Sequence, residues 1–274
     1  MVEATLHNAG EVVNGDYKLA EQLGKGAMGE VFVATDIARA NREIAIKYLK
    51  WQPGKSQALD QFKSEFAMLT HLSHPHIAKV YDFEQDIATG QFFFTSELVK
   101  GVDFLNAVQD QPINFIEELF VQALRALEYI HSNGIFHFDI KSANLLVTTP
   151  PLLKLIDFGL SAIRFQGKLV GTPSYMAPEM VRRENPDGRA DLYSLGVLVY
   201  SALTGRNPFR AADFNISMQN QLNILPPPPS SANSEVPKYM DTVIMRLMEK
   251  RPEDRYQTAA QAIRDLSFRS PKKY

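Results

Sequence analysis

A change in the spacing of apolar residues constrains the fold more than any other feature of the 274-residue sequence. Up to about Leu98 the apolar residues come in short alternating runs: Tyr17 to Leu23, Glu30 to Thr35, Glu43 to Leu49, Ile77 to Phe83 and Phe92 to Leu98. A period of two puts alternate side chains on opposite faces of a strand. One segment in this part differs. From Leu59 to Leu72 the residues Leu59, Phe62, Phe66, Leu69 and Leu72 recur at helical spacing. Beyond about Asp103 the period becomes helical. Phe115 to Ser132 carries Leu119, Ala123, Leu127 and Ile130 on one face and stops at Asn133-Gly134, a helix C-terminal signal. Further helices are expected at Arg189 to Leu203, Tyr239 to Glu249 and Thr258 to Leu266, and Pro226 to Pro229 reads as a rigid exposed loop. No internal repeat is present. The pattern predicts an α+β chain in two lobes, a small β-rich one with a single helix and a larger, mainly helical one, joined by a short connection.

Composition removes several function classes. The formal net charge of -2 lacks the basic excess of a nucleic-acid binder. The absence of cysteine excludes disulfides, thiolate metal sites and a cysteine nucleophile, and accords with a cytoplasmic placement. Met1 to Gly10 has no basic start or apolar core of a secretory signal. The longest apolar stretch, Leu192 to Leu203, falls short of the ~20 residues a membrane span needs. No membrane insertion is expected of this chain, although further domains in a longer parent protein are compatible with it.

Three places carry chemistry. Gly24-Lys25-Gly26-Ala27-Met28-Gly29-Glu30-Val31 has the form G-x-G-x-x-G-x-V between two strand runs. Glycines let a hairpin lie close over phosphates and offer them backbone N–H groups. No helix follows, which argues against a dinucleotide site. Ile44-Ala45-Ile46-Lys47 sets a lysine on an apolar strand, either as an edge charge or as a cation for phosphates. Glu65, beside the apolar face of the predicted helix, can reach inward as its acidic partner. The densest cluster is His137-Phe138-Asp139-Ile140-Lys141-Ser142-Ala143-Asn144, followed by Leu145 to Val147 and then Leu155-Ile156-Asp157-Phe158-Gly159. Asp and Asn in such places often only cap turns. Here Asp139, Asn144, Asp157 and a lysine fall within 21 residues of one another, and Ala177-Pro178-Glu179 follows.

In this order and spacing the motifs resemble the protein-kinase signature set. The resemblance spans Tyr17 to Leu266 and is to the serine/threonine class, with wording close to bacterial members. It implies a bilobal kinase-like fold, with a tail at 1–14, an N-lobe at 15–98, a C-lobe at 99–268 and a tail at 269–274. It implies ATP and Mg²⁺ (Mn²⁺ as an alternative ion) as cofactors and proteins with serine or threonine acceptors as partners. Asp139 resembles the catalytic aspartate and Lys141 the lysine that neutralises the γ-phosphate. Asn144 and Asp157 resemble the metal ligands, and Lys47 with Glu65 the ion pair of the active state. Gly24, Gly26 and Gly29 would cover the phosphates. Glu97 and Val99 would meet adenine through backbone groups, Asp103 would bind the ribose, and Val31, Ala45 and Leu146 would enclose the ring. Ser96, just before Glu97, would close the back of that pocket with a small side chain. Glu179 and Arg255 resemble a buried structural ion pair, Asp191 an anchor for the catalytic-loop backbone, and His137 a core residue.

One departure stands out. The family's H-R-D reads His137-Phe138-Asp139, and Ala162 to Gly171 contains no hydroxyl residue. Both the usual phosphate receptor and an acceptor in that stretch are missing, so activity without activation-segment phosphorylation is expected. Thr172 is expected to bond near the catalytic aspartate. Ala143 and Ser201 stand where basophilic kinases carry acids, so little preference for arginine before the target is expected. The alternative reading is a pseudokinase, a nucleotide-binding scaffold or regulatory module, supported by Phe138 alone. A small-molecule kinase is disfavoured by the intact stretch from Gly171 to Glu179.

Overall fold

A computed structural model describes residues 7–26, 29–50, 63, 66–157 and 172–269. The chain divides into two compact units, Met1–Ser73 with Ala78–Val99, and His74–Ile77 with Lys100–Tyr274.

The first unit is built on one antiparallel sheet of six strands: β1 (Val12–Val13), β2 (Tyr17–Gly26), β3 (Gly29–Asp36), β4 (Arg42–Leu49), β5 (Val80–Gln85) and β6 (Phe92–Glu97), in the order β1-β2-β3-β4-β6-β5. The period-two pattern gives each strand one core face. Tyr17, Leu19, Phe32, Ala34, Ile44, Ile46, Tyr48 and Phe93 pack there in one cluster. The rings of Tyr17 and Tyr48 lie 5.7 and 5.4 Å from that of Phe93. The expected tail contributes β1, which pairs Val12 with Lys18 and Val13 with Tyr17. Within the expected helix 59–72, residues 66–70 are helical and Phe66, Leu69 and Leu72 are buried, as their spacing requires. The ring of Phe66 packs against Phe83 and Phe94, at 5.4 and 5.9 Å.

The second unit is mainly helical. Its elements are α1 (Phe104–Val108), α2 (Ile113–Ser132), α3 (Pro178–Val181), α4 (Gly188–Thr204), α5 (Phe214–Asn223), α6 (Lys238–Leu247) and α7 (Ala259–Arg269). A three-stranded sheet accompanies them, β7 (Gly101–Asp103), β8 (Leu145–Thr148) and β9 (Leu153–Leu155). Helix α2 ends where its sequence says it should: Gly134 adopts φ 72°, and its N–H and that of Ile135 bond back to His131 and Ile130. Helix α4 is buried on almost every side, which explains an apolar stretch that is too short to span a bilayer. Asp187 caps its start and Gly205 ends it. Among the described residues no helix is long and apolar enough to cross a membrane.

The proline run departs from expectation. Pro226 and Pro229 are buried while Pro227 and Pro228 are exposed. The hydroxyl of Tyr200 in α4 donates to the Pro227 carbonyl at 3.0 Å, which pulls the run against the helical core.

Candidate active site

In the first unit the face of the sheet opposite the aromatic core carries the expected nucleotide-binding residues. Alternation along β3 and β4 puts Val31, Val33, Ala45 and Lys47 on that face, in the register Val31↔Lys47 and Val33↔Ala45. Lys47 is buried in a central strand, flanked by Val31 on β3 and Phe94 on β6, so the edge-charge reading does not apply. Its ammonium lies 6.0 Å from the centre of the Phe94 ring. Ser96 stands opposite Ala45, and Glu97 opposite Ile44. The Glu97 carboxylate accepts from the Lys79 N–H at 3.1 Å. Glu65 lies outside the described residues.

The glycine hairpin joins β2 to β3, with Gly24 opposite Val31 and Gly26 opposite Gly29. Only Gly29 is required by close approach: its φ is 145°, and a Cβ would stand 1.7 Å from the Tyr48 carbonyl oxygen. At Gly24 and Gly26 a Cβ would meet open space, which leaves room above the hairpin backbone.

In the second unit the cluster from His137 to Asn144 forms a tight loop ending in one turn of 3-10 helix at Ser142–Asn144. Asp139 is its centre. The Lys141 ammonium donates to Asp139 Oδ2 at 2.8 Å, and Asn144 Nδ2 donates to the same oxygen at 3.2 Å and to the Asp139 carbonyl at 2.8 Å. The Asn144 side chain thereby spends its nitrogen on the loop and keeps Oδ1 as an oxygen donor. The Asn144 main-chain carbonyl accepts from the N–H of Ile156, the residue before Asp157, at 3.0 Å. His137 is buried: Nε2 donates to the Ile156 carbonyl at 2.9 Å and Nδ1 accepts from the Asp139 N–H at 3.3 Å. Both bonds need the neutral ring with its proton on Nε2.

The loop is held in a costly shape. Phe138 has φ 58° and Asp157 φ 69°, and a bulky residue in that region is a genuine outlier. Asp191, fully buried at the start of α4, accepts from the Phe138 N–H at 2.6 Å and the His137 N–H at 2.8 Å. His131 Nε2 lies 2.9 Å from the same carboxylate. Burial alone pushes the Asp191 carboxyl up. The His131 bond and the positive edges of His131 and His137 outweigh it and hold the group below the usual carboxylate range. The Phe138 ring stacks obliquely on Phe136 at 5.6 Å.

Asp103 and Leu146, expected at ribose and adenine, are direct register partners across β7 and β8. Asp103 also caps α1 and accepts from Ser142 and Asn106. Glu179 and Arg255 form a two-pronged ion pair at 2.7 Å in both arms, and the remaining Arg255 donors reach the carbonyls of Glu249, Arg189 and Lys250. Ser201 is buried with its hydroxyl donated to the Val197 carbonyl. Among the described residues the Thr172 hydroxyl has no hydrogen-bond partner; Thr172 instead lines a cavity of about 10 Å³ with Asp139 and Phe138. The expected bond near Asp139 is therefore not made. Ser161 and Ala162 to Gly171 lie outside the described residues. Two contributors were not legible in advance: His131, on the last turn of α2, and Ser142, whose hydroxyl also accepts from the Leu105 N–H at 2.8 Å.

A model of the protein kinase domain matches residues 17–267. The chain belongs to the protein kinase family. The serine/threonine-protein kinase PknB of Mycobacterium tuberculosis is 35% identical over 266 residues, covering 91% of this chain and 42% of the relative. PknB of Mycobacterium leprae is 33% identical, with the same coverage. A probable serine/threonine-protein kinase of Clostridium acetobutylicum is 31% identical over 94% of the chain and 40% of its own length. This kinase chain thus spans about two fifths of the length of those relatives. Among solved structures, the kinase domain of Mycobacterium tuberculosis PknI matches with a TM-score of 0.74 and 25% identity, over 96% of this chain and 99% of that one. The fold is kinase-like, a β-sheet N-lobe and a helical C-lobe: the change in period called for the two lobes and the resemblance for the kinase fold.

Proposed function

We propose that this kinase chain transfers the γ-phosphate of ATP to serine and threonine hydroxyls of protein substrates, using Mg²⁺. The observation that carries the reading is the convergence of Lys141 and Asn144 on one oxygen of Asp139, in a loop pinned by Asp191. In this reading the N-lobe runs over 15–98 and the C-lobe over 99–268. Asp139 orients the acceptor hydroxyl and takes its proton, and Lys141 neutralises the transferred phosphoryl group. Lys47 binds the α- and β-phosphates, with Glu65 as its partner. Gly24, Gly26 and Gly29 cover the phosphates; Glu97, Val99, Val31, Ala45 and Leu146 hold adenine, and Asp103 the ribose.

The metal fits the residues present. Asn144 Oδ1 and the Asp157 carboxylate are hard oxygen donors of the kind Mg²⁺ prefers, and the Asn144 amide is oriented by its two bonds to Asp139. When bound, the ion neutralises charge on the β- and γ-phosphates. Similarity to PknB supports the serine/threonine class, as does Lys141 two residues after Asp139.

Phosphorylation of the activation segment is not needed in this reading. Phe138 replaces the arginine that would receive the phosphate and packs on Phe136, while Asp191 holds the loop backbone without help from a phosphate. With Ala143 and Ser201 in place of acids, peptide substrates need no arginine before the target.

The test is phosphate transfer from ATP and Mg²⁺ to a generic protein substrate by the wild type, Asp139→Ala and Asp157→Ala. Transfer to serine or threonine that disappears in both variants supports the proposal. Nucleotide binding with no transfer, unaffected by either substitution, would establish the pseudokinase instead.

A further inference from the structure

A second cluster of titratable side chains lies in the first unit and uses none of the residues assigned to phosphoryl transfer. His7 precedes β1, Glu11 adjoins it, and Asp86 opens the turn between β5 and β6. His7 is 2% exposed, and its Nδ1 has no hydrogen-bond partner. That atom faces Glu11 Oε1 at 3.5 Å and Asp86 Oδ2 at 3.8 Å, and the three atoms lie within 4.8 Å of one another. The other ring nitrogen, Nε2, lies 3.1 Å from Gln91 Oε1. Gln91 there can only accept, so the ring proton sits on Nε2 and Nδ1 presents a lone pair. Three electron-rich atoms then converge in a buried place, which is unfavourable unless a cation lies between them.

We propose that His7, Glu11 and Asp86 bind a divalent transition metal of the zinc class, tying the segment before β1 to the β5–β6 turn. The distances separate a metal from a proton. An imidazolium N–H bonded to a carboxylate would draw the oxygen to about 2.7–2.9 Å. Ligands about 2.1 Å from one tetrahedral ion stand roughly 3.4 Å apart, close to the two separations observed. One imidazole with two carboxylates suits Zn²⁺, Co²⁺ or Mn²⁺ better than Mg²⁺ or Ca²⁺, which take all-oxygen sets.

The ligands are themselves oriented, as metal ligands usually are. Gln91 fixes the ring tautomer, and Tyr48 stacks on the ring at 3.8 Å and 18°. Asp86 accepts from the Ala88 N–H and the Thr89 hydroxyl, both at 2.8 Å, and Glu11 accepts from the Asn8 N–H at 3.0 Å. The Glu11 side chain is 32% exposed, which gives an ion and its fourth ligand, a water, a way in. Binding would couple to folding, because the site joins two segments far apart in sequence.

The test titrates chelator-stripped protein with Co²⁺, then Zn²⁺, in excess Mg²⁺ so that all-oxygen sites stay filled. The wild type should take up one equivalent of Co²⁺ with the visible ligand-field absorption of a four-coordinate ion. Zn²⁺ should displace it and raise Tm. His7→Ala and the milder Glu11→Gln, both checked for folding by circular dichroism, should each bind at least about tenfold more weakly and lose the Tm rise. The chain has no cysteine to compete. Absence of uptake by the wild type overturns the proposal, as does equal uptake by the two variants, which would place the ion elsewhere, for example at His74 and His76.

Discussion

Replacing Asp191 by alanine removes the acceptor that holds the Phe138 and His137 N–H groups at 2.6 and 2.8 Å. Each buried N–H left without a partner costs about 1–3 kcal/mol, so the two together cost roughly 2–6. Taking about 4 kcal/mol, at 2–4 °C per kcal/mol for a unit of this size, Tm should fall by roughly 8–16 °C. Part of what Asp191 does is to keep Phe138 at φ 58°, a conformation that costs a non-glycine residue about 1–2 kcal/mol. Phe138→Gly relieves that cost while giving up the contact with Phe136 at 5.6 Å, so by itself it should change stability little. In the Asp191→Ala background the backbone is free to leave φ 58°, so glycine has no strain left to relieve and should cost a further amount of about 1–2 kcal/mol as the Phe136 contact goes. Urea unfolding followed by far-UV circular dichroism on the four proteins of the cycle measures the coupling. Phosphate transfer by the same four shows whether loop shape follows stability. Costs that add to within about 0.5 kcal/mol would refute the idea that Asp191 acts by holding the left-handed backbone at Phe138.

Arg255→Met strands the buried Glu179 carboxylate and should cost about 3–5 kcal/mol, whereas Glu179→Leu combined with Arg255→Met should recover part of it; a single-variant loss under about 1 kcal/mol by calorimetry would contradict the buried-pair account. Gly29→Ala drives a Cβ to 1.7 Å from the Tyr48 carbonyl and should lower both Tm and ATP affinity, while Gly24→Ala, with open space around it, should leave Tm unchanged; equal Tm for the two would show that the β3–β4 approach is not limiting. Lys250, half-buried against Phe209 with its ammonium 4.2 Å from the ring, has its pKa pushed down to about 8 by desolvation, with Arg255 adding repulsion. It should be half uncharged near pH 8 and acylate there faster than exposed lysines, a ratio read by mass spectrometry of partially labelled protein; labelling no faster than average would contradict it.

The legible parts of the fold are those set by local pattern. Helices α2 and α4 lie within a residue or two of their expected ends at Ser132 and Leu203, because apolar spacing defines them and Gly134 and Gly205 stop them. The three-residue strands β7 and β9 carry too few residues to show a period. What makes Gly101 necessary is the Val147 carbonyl, 2.5 Å from where its Cβ would be, and the sequence does not announce that neighbour. Helix α1, with five residues, is too short to show a period, and α5 buries only the polar Ser217 and Gln221, so no apolar stripe marks it; the burial of Pro226 and Pro229 depends on Tyr200, far off in sequence. Within the site, the spacing of Asp139, Lys141 and Asn144 was readable because six consecutive residues of one loop carry it. The support from His131 and Ser142 was not, since each acts on a residue at least 37 positions away. The left-handed backbone at Phe138 was equally hidden: nothing in a phenylalanine predicts a positive φ, and it persists because Asp191 over-determines it.

The central claim is that this kinase is active with Phe138 in place of an arginine and without a phosphate on its activation segment. The most direct measurement is the initial rate of phosphate transfer by phosphatase-treated protein, verified as unphosphorylated by mass spectrometry, beside Asp139→Ala. The account predicts transfer from the first time point with no lag, and none from Asp139→Ala. A lag that ends only after preincubation with ATP, or a rate no higher than that of Asp139→Ala, would contradict it.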